Sequence, residues 1–269
     1  MRRLGIFLLF FSGFGCDANV VDAVREPPDM MMDPEPQSPL ETSLLHRYGF
    51  NNEGVVALDS KGAAHGQVFG TRLPGNGSLP LMGERAGQYV NLPNGMVSGL
   101  TDATFEAWLS WDGGSAWQRI FDFGSNTGGE DQPGNGGTKY LFLTTASSGD
   151  TAPGVPASLR VAYSQNGVAD EDICYGPAPL PTRVETHVAV VVDHTARTFS
   201  LYQDGVRLAE CPLARPLSAI DDVNDWLGHS NFSADLDLAG SYDEFRVYGA
   251  ALTPQQLAAS FAAGPDATP

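Results

Sequence analysis

Short segments of alternating apolar and polar residues recur along most of the chain, separated by Gly, Asn, Pro and Asp. Successive side chains of a β-strand point to opposite faces, so this period of two predicts strands with one buried face. Because no helical periodicity lies between the segments, they predict an all-β sandwich or barrel rather than a parallel sheet. The segments are residues 45–50, 55–59, 65–69, 88–92, 104–111, 119–123, 139–143, 159–163, 186–193, 198–205 and 240–248.

Two features refine this pattern. The segment 186–193 is apolar on both faces, which predicts a central strand covered on both sides. The dipeptide Asp204-Gly205 ends the next segment and predicts a type I′ hairpin turn, because both central residues of that turn need a positive φ.

The C-terminal region predicts one helix of about ten residues. Thr253 and Gln256 form a capping-box pattern, and Gly264 can end the helix. Such a short helix is marginally stable alone, so we expect it to pack on the sandwich through Leu257 and Phe261.

Composition agrees with a turn-rich β protein. The 269 residues include 31 Gly and 19 Pro, only 17% are charged, and the length allows one large β domain or two small ones. The net charge of −17 argues against nucleic acid as a partner, since phosphates require Lys and Arg for neutralisation.

The N-terminus predicts export. Arg2 and Arg3 precede an apolar run too short to span a bilayer, so residues 1–15 are typical of a signal peptide. The residues up to Cys16 resemble a bacterial lipobox, which predicts lipidation of Cys16 and an outer-membrane or cell-surface location. The alternative is cleavage nearby and a secreted protein with an unmodified Cys16.

Domain boundaries follow from composition. Residues 16–43 are rich in Pro and acids and lack apolar periodicity, which predicts a disordered tether. Residues 44–264 form the predicted globular domain, and residues 265–269 form a disordered tail.

Cys174 and Cys211 are the two remaining cysteines. An oxidising compartment favours a disulfide between them, and the alternative is two buried thiols.

The order of several motifs resembles the laminin-G-like (LamG, concanavalin A-like) jelly-roll family in its bacterial form. The motifs are residues 46–50, 59–60, 104–108, 202–205 and 243–248. The resemblance covers residues 44–264 and implies two antiparallel sheets, one of them concave, with the functional site on the concave face or its rim.

The resemblance also implies a structural calcium ion, with Asp243 and Asp59 at the matching positions. The alternative for Asp243 is a salt bridge to a base such as Arg246, or simple exposure. Calcium would need six to eight oxygen ligands in all.

No pair of acids suggests catalysis. Related bacterial β-glucanases carry Glu-x-Asp-x-Glu on one strand, and this chain has no such motif. Its adjacent acids at 171–172 and 221–222 would point to opposite faces of a strand.

Two groups of residues are candidates for ligand contact. Trp111 and Trp117 could stack on sugar rings, with core packing as the alternative for either. The loop 125–138 is too long for a plain hairpin and is a candidate ligand-facing segment. Its candidate residues are Asn126, Glu130, Asp131 and Asn135.

The sequence therefore predicts a non-catalytic, exported binding module for carbohydrate or glycoprotein, which contacts a membrane only through its N-terminal lipid. The alternatives are an enzyme that acts on polysaccharide through an unfamiliar site, and a structural component of the envelope.

Overall fold

The computed structural model describes residues 39–148, 156–213 and 215–267. Within these ranges the helices are α1 (Pro39–Ser43) and α2 (Pro254–Ala263), and two short 3-10 helices span Val168–Asp170 and Leu217–Ala219. The strands are β1 (Leu44–Tyr48), β2 (Glu53–Gly54), β3 (Val56–Ala57), β4 (Gly66–Phe69), β5 (Leu73–Pro74), β6 (Leu79–Glu84), β7 (Tyr89–Leu92), β8 (Ala103–Trp111), β9 (Arg119–Asn126), β10 (Gly137–Thr144), β11 (Arg160–Ser164), β12 (Asp172–Tyr175), β13 (Glu185–Asp193), β14 (Thr198–Gln203), β15 (Val206–Pro212), β16 (Asn224–Leu227) and β17 (Asp237–Tyr248).

The strands form two large sheets and one small ribbon. The seven-stranded sheet has the order β1-β17-β8-β13-β14-β15, with β6 also paired to β17. The eight-stranded sheet has the order β12-β11-β10-β9-β16-β7-β4-β3, and β2 pairs with β5. The pairings between these strands are antiparallel. The predicted antiparallel sandwich is therefore confirmed.

One apolar core lies between the two large sheets. On β8, alternate side chains point into this core, as the period of two predicts: Phe105, Ala107, Leu109 and Trp111. Strand β13 is buried on both faces and lies between β8 and β14, so its predicted central position is confirmed.

The two helices cover the outer face of the seven-stranded sheet. Leu257 of α2 and Leu40 of α1 are buried there in a second apolar cluster. Thr253 and Gln256 form the predicted capping box at the start of α2. Phe261, the other residue expected to pack, remains 40% exposed.

The ordered domain extends beyond the predicted range 44–264 at both ends. The helix Pro39–Ser43 lies where a disordered tether was expected, because its one buried leucine joins the second cluster. At the other end, the Arg246 guanidinium donates hydrogen bonds to the carbonyl oxygens of Pro265 and Ala267, each at 2.7 Å.

The predicted signal peptide (1–15), the lipidated Cys16 and the tether as far as residue 38 lie outside the described residues. In the part of the chain that is described, no helix has the length and apolar character needed to cross a membrane.

Cys174 of β12 and Cys211 of β15 form a disulfide, with their Cα atoms 5.6 Å apart. The predicted pairing is thus confirmed. Strands β12 and β15 are the edge strands of the two large sheets, so the disulfide links the sheets along one side of the sandwich.

Candidate functional site

The outer face of the eight-stranded sheet carries a small apolar cluster separate from the core. On β10, Leu141 and Leu143 point into the core, whereas the alternate residues Tyr140 and Phe142 point to the outer face. Ala162 of β11 joins them, and Ile173 and Phe232 pack against the cluster. This cluster forms the floor of a groove.

One end of the groove is a pocket of about 360 Å³, which we call the arginine pocket. Five of its lining residues come from the strands β9 to β12, and the others come from the segments before and between strands. The lining residues are Trp117, Arg119, Phe142, Arg160, Val168, Glu171, Ile173, Tyr175, Phe232 and Asp235.

Arg119 is fixed in this pocket by charge and by an aromatic ring. Its Nε lies 3.1 Å from Oδ2 of Asp122, and one terminal nitrogen lies 2.8 Å from Oδ2 of Asp235. Its guanidinium carbon lies 3.9 Å from the centre of the Phe142 ring. The other terminal nitrogen donates to the carbonyl oxygen of Trp117 at 2.7 Å. The side chain is only 2% exposed, so these contacts hold it in one position.

Arg160 is the second arginine of the pocket. Its guanidinium donates to Glu171 and lies 5.1 Å from the Trp117 ring and 5.6 Å from the Tyr175 ring. The side chain is 6% exposed, and its Nε has no hydrogen-bond acceptor among the described residues.

The other end of the groove is a pocket of about 300 Å³, which we call the aromatic pocket. Tyr89 of β7 stacks on His229 with ring centres 4.6 Å apart, and the Trp226 ring of β16 lies 4.7 Å from His229. The Trp226 Nε1 is buried and has no acceptor among the described residues. Phe232 and Asp235 line both pockets, so the two pockets adjoin.

The acids of the groove differ in exposure. Asp122 is buried and accepts hydrogen bonds from Arg119 and from the backbone and side-chain nitrogens of Asn231. Asp235 is 15% exposed and faces both pockets. Burial raises the pKa of the Asp235 carboxyl above its ordinary value, although the charge of Arg119 opposes the rise. Only Asp235 of this pair can reach a ligand.

The two predicted tryptophans have different surroundings. Trp117 lines the arginine pocket and is partly exposed. Trp111 is 4% exposed within the core, and its indole nitrogen donates to Gln118 at 2.8 Å. The prediction that Trp111 contacts ligand is therefore wrong, because its strand position gives it the core-facing side of β8.

The predicted loop residues contribute unequally to the groove. Asp131 lines the aromatic pocket, and its carboxylate accepts from Asn91 at 2.8 Å. Asn126 also lines this pocket, but it is buried and holds the loop by accepting from two backbone nitrogens. Glu130 and Asn135 are exposed and line neither pocket.

The predicted calcium ligands receive no support from the geometry at Asp59. Its two carboxylate oxygens are buried and accept from His46 and from four backbone N–H groups. Although burial acts to raise the pKa of Asp59, these hydrogen bonds hold it below its ordinary value. A carboxylate surrounded by donors does not fit a cation.

Asp243 is half-buried beside Ser78, and burial raises the pKa of its carboxyl. The described residues contain no group of three or more His, Cys, Asp or Glu suited to a metal. Calcium binding therefore stays a prediction, to be tested by the effect of a chelator on the melting temperature.

Sequence reasoning missed most of the groove residues. Arg119 and Arg160 come from strands that the sequence predicted, and both lie on the side away from the core. A charged residue in an otherwise apolar strand was the signal that could have identified these two arginines as candidate site residues. Tyr89, Trp226 and His229 gave no such signal, because only strand pairing brings them together.

Comparisons with known proteins agree with this architecture. The family model Laminin_G_3, described as the concanavalin A-like lectin/glucanases superfamily, matches residues 84–258. A search of curated protein sequences gave no match.

Several solved structures share the fold. Domain 4 of AbnA, a GH43 extracellular arabinanase from Geobacillus stearothermophilus in complex with arabinotriose, has 19% identity and a TM-score of 0.60, covering 81% of this chain and 97% of that one. The CBM40 of Ruminococcus gnavus IT-sialidase bound to α2,3-sialyllactose has 16% identity and a TM-score of 0.53, covering 68% and 95%. The leech intramolecular trans-sialidase has 17% identity and a TM-score of 0.54, covering 70% of this chain and 27% of that one. Identities this low indicate a common fold and nothing finer.

Proposed function

Because the chain belongs to the concanavalin A-like lectin/glucanases superfamily, we propose that it is a non-catalytic carbohydrate-binding module. The ligand is a glycan, free or on a glycoprotein, which lies along the groove from the arginine pocket to the aromatic pocket. The observation that carries this proposal is the pair of adjoining pockets, each with aromatic side chains at its wall. The glycan-bound domains with the same fold support it.

The side chains of the arginine pocket suit a sugar ring. A sugar has an apolar face, which can stack on an aromatic ring, and a rim of hydroxyl groups, which need charged or polar partners. Trp117 and Tyr175 are the partly exposed rings, and Arg160 and Asp235 lie beside them. The ion pair of Asp235 with Arg119 and that of Arg160 with Glu171 keep these polar groups in place, so little ordering is required when a ligand binds.

The acids of the arginine pocket do not support hydrolysis. A glycosidase needs two carboxyl groups that flank the scissile bond. Asp122 is fully buried beneath Arg119, so within the arginine pocket it cannot act with Asp235 on a substrate. Glu171 is engaged by Arg160 and by the hydroxyl of Tyr140.

The module acts outside the cytoplasm. A disulfide suits an oxidising compartment, in agreement with the signal peptide predicted from residues 1–15. With lipidation at Cys16, the domain would be displayed on a bacterial envelope, and without it the domain would be secreted.

A glycan array followed by calorimetric titration of a bound oligosaccharide tests the proposal. Trp117→Ala should weaken binding about fivefold to thirtyfold, because it removes about 1–2 kcal/mol of stacking. Met82→Ala is the control, since Met82 is 73% exposed and lines neither pocket. Circular dichroism should show that both variants fold.

Other results would identify the alternatives. Polysaccharide turnover that Asp235→Asn abolishes would establish an enzyme. A stable protein complex that no sugar disrupts, with no glycan bound on the array, would establish a structural role.

A further inference from the structure

We infer that the groove selects glycans made of neutral sugars and rejects those that carry carboxylate or sulfate groups. This inference rests on the function proposed above and specifies the chemical class of the ligand. It comes from the charges and the hydrogen-bonding groups that line the groove of this chain.

The two arginines of the arginine pocket are already neutralised. Arg119 contacts the carboxylates of Asp122 and Asp235, and Arg160 contacts that of Glu171. Three carboxylates thus face two guanidinium groups. An acidic sugar would have to displace one of these carboxylates, and the displaced acid would remain close to it.

The aromatic pocket adds further negative charge. Glu84, Asp131 and Asp237 line it together with Arg85 and His229. His229 is already bonded to Asp237 at 2.5 Å, and the Arg85 guanidinium donates to backbone carbonyl oxygens. With a net charge of −17 on the whole chain, the field around the groove disfavours an anionic ligand.

The hydrogen-bonding groups at the surface of the groove favour a ligand that donates. The carboxylates of Asp131 and Asp235 line the groove and can only accept. A sugar hydroxyl can donate to a carboxylate, whereas an ionised carboxylate or sulfate can only accept. Neutral polyhydroxylated rings therefore satisfy these carboxylates, and acidic groups do not.

The test compares glycans that differ only in charge. The purified full chain is titrated with trigalacturonic acid and with its methyl-esterified form, and is screened on an array that includes neutral, sialylated and sulfated glycans. We expect the neutral glycans to bind at least tenfold more tightly than their acidic counterparts. We also expect an affinity that changes less than twofold between 50 and 500 mM salt.

A variant pair tests the cause of this selectivity. Glu171→Gln removes the charge that neutralises Arg160 and should reduce the preference for neutral glycans at least threefold. Glu130→Gln removes a nearby exposed charge that lines neither pocket, and it should leave the preference unchanged.

The failure of this inference can be told from the failure of the proposed function. Tight, salt-sensitive binding of an acidic glycan that Trp117→Ala weakens would overturn the neutral selectivity and uphold carbohydrate binding. The absence of binding to any glycan, neutral or acidic, would overturn both.

Discussion

Asp225 points into the apolar core from β16. It pairs with Phe123 of β9 and Leu92 of β7, and both of these residues belong to the core. Neither carboxyl oxygen has a hydrogen-bond partner of normal geometry among the described residues. Burial raises the pKa of Asp225 well above its ordinary value, the charge of Asp222 adds to the rise, and the backbone of Met96 opposes only part of it. The folded state therefore favours the protonated carboxyl.

Asp225→Asn should raise the free energy of unfolding at pH 7 by about 1–3 kcal/mol, because the amide never carries the buried charge. With the folded-state pKa raised, the contribution of Asp225 to the stability of the parent is greatest below the unfolded-state pKa of about 3.9 and is lost as the pH rises through the folded-state value. The gain in the free energy of unfolding of Asp225→Asn should therefore vanish near pH 3.

Urea unfolding between pH 3 and pH 7 measures this difference. The exposed neighbour Asp221 provides the control variant Asp221→Asn, which should keep the pH dependence of the parent. If Asp225→Asn were less stable than the parent at pH 7, the prediction would be wrong, and a polar group would have to stabilise the charged carboxylate of Asp225.

At the scale of elements, the C-terminal helix α2 depends on one buried leucine. Leu257→Ala should lower the free energy of unfolding by about 2–4 kcal/mol, because Leu257 is fully buried in the second cluster. Gln255→Ala, at an exposed position of the same helix, should change it by less than about 0.5 kcal/mol. Glycan affinity should stay unchanged in both variants, since the groove lies on the other large sheet; a loss of affinity in Leu257→Ala would contradict this separation.

The elements that sequence predicts well are those whose residues alternate between apolar and polar or are apolar throughout, and those that end in a defined turn. The turn at Asp204 and Gly205 has φ values of 49° and 73°, as the predicted hairpin requires. Strand β6 was missed because Pro80, which cannot donate a hydrogen bond to a sheet, argues against a strand, and β16 was missed because Asn224 and Asp225 give it a polar sequence.

The candidate site was predictable only in part. Trp117 and Asp131 do line the groove. Trp111 does not, because the face that a tryptophan on an alternating strand occupies depends on which side of that strand the second sheet covers. The arginine pocket combines residues from β9, β10, β11 and β12 with others from the segments before β9, between β11 and β12, and after β16. Nothing in the spacing of these residues along the chain indicates that they meet.

At the scale of the whole molecule, the disulfide joins the edges of the two large sheets. Replacement of Cys174 and Cys211 together by Ala should lower the free energy of unfolding by about 4 kcal/mol, because the bond closes a loop with a sequence separation of 37. The sheets and their common core should still form. Urea unfolding with and without reductant measures the effect.

Because the double variant lacks the disulfide, reductant should not change its free energy of unfolding, and this provides the control for other effects of the reductant. Equal stability of the parent and the double variant under oxidising conditions would contradict the prediction.

The two helices place both described ends of the domain on one face of the sandwich. The described chain enters at Pro39 and ends after α2, and both helices lie on the outer face of the seven-stranded sheet. The groove lies on the opposite outer face of the sandwich. Both described ends of the domain therefore lie on the face away from the groove, so a label attached directly at Pro39 or Ala267 would leave the groove accessible.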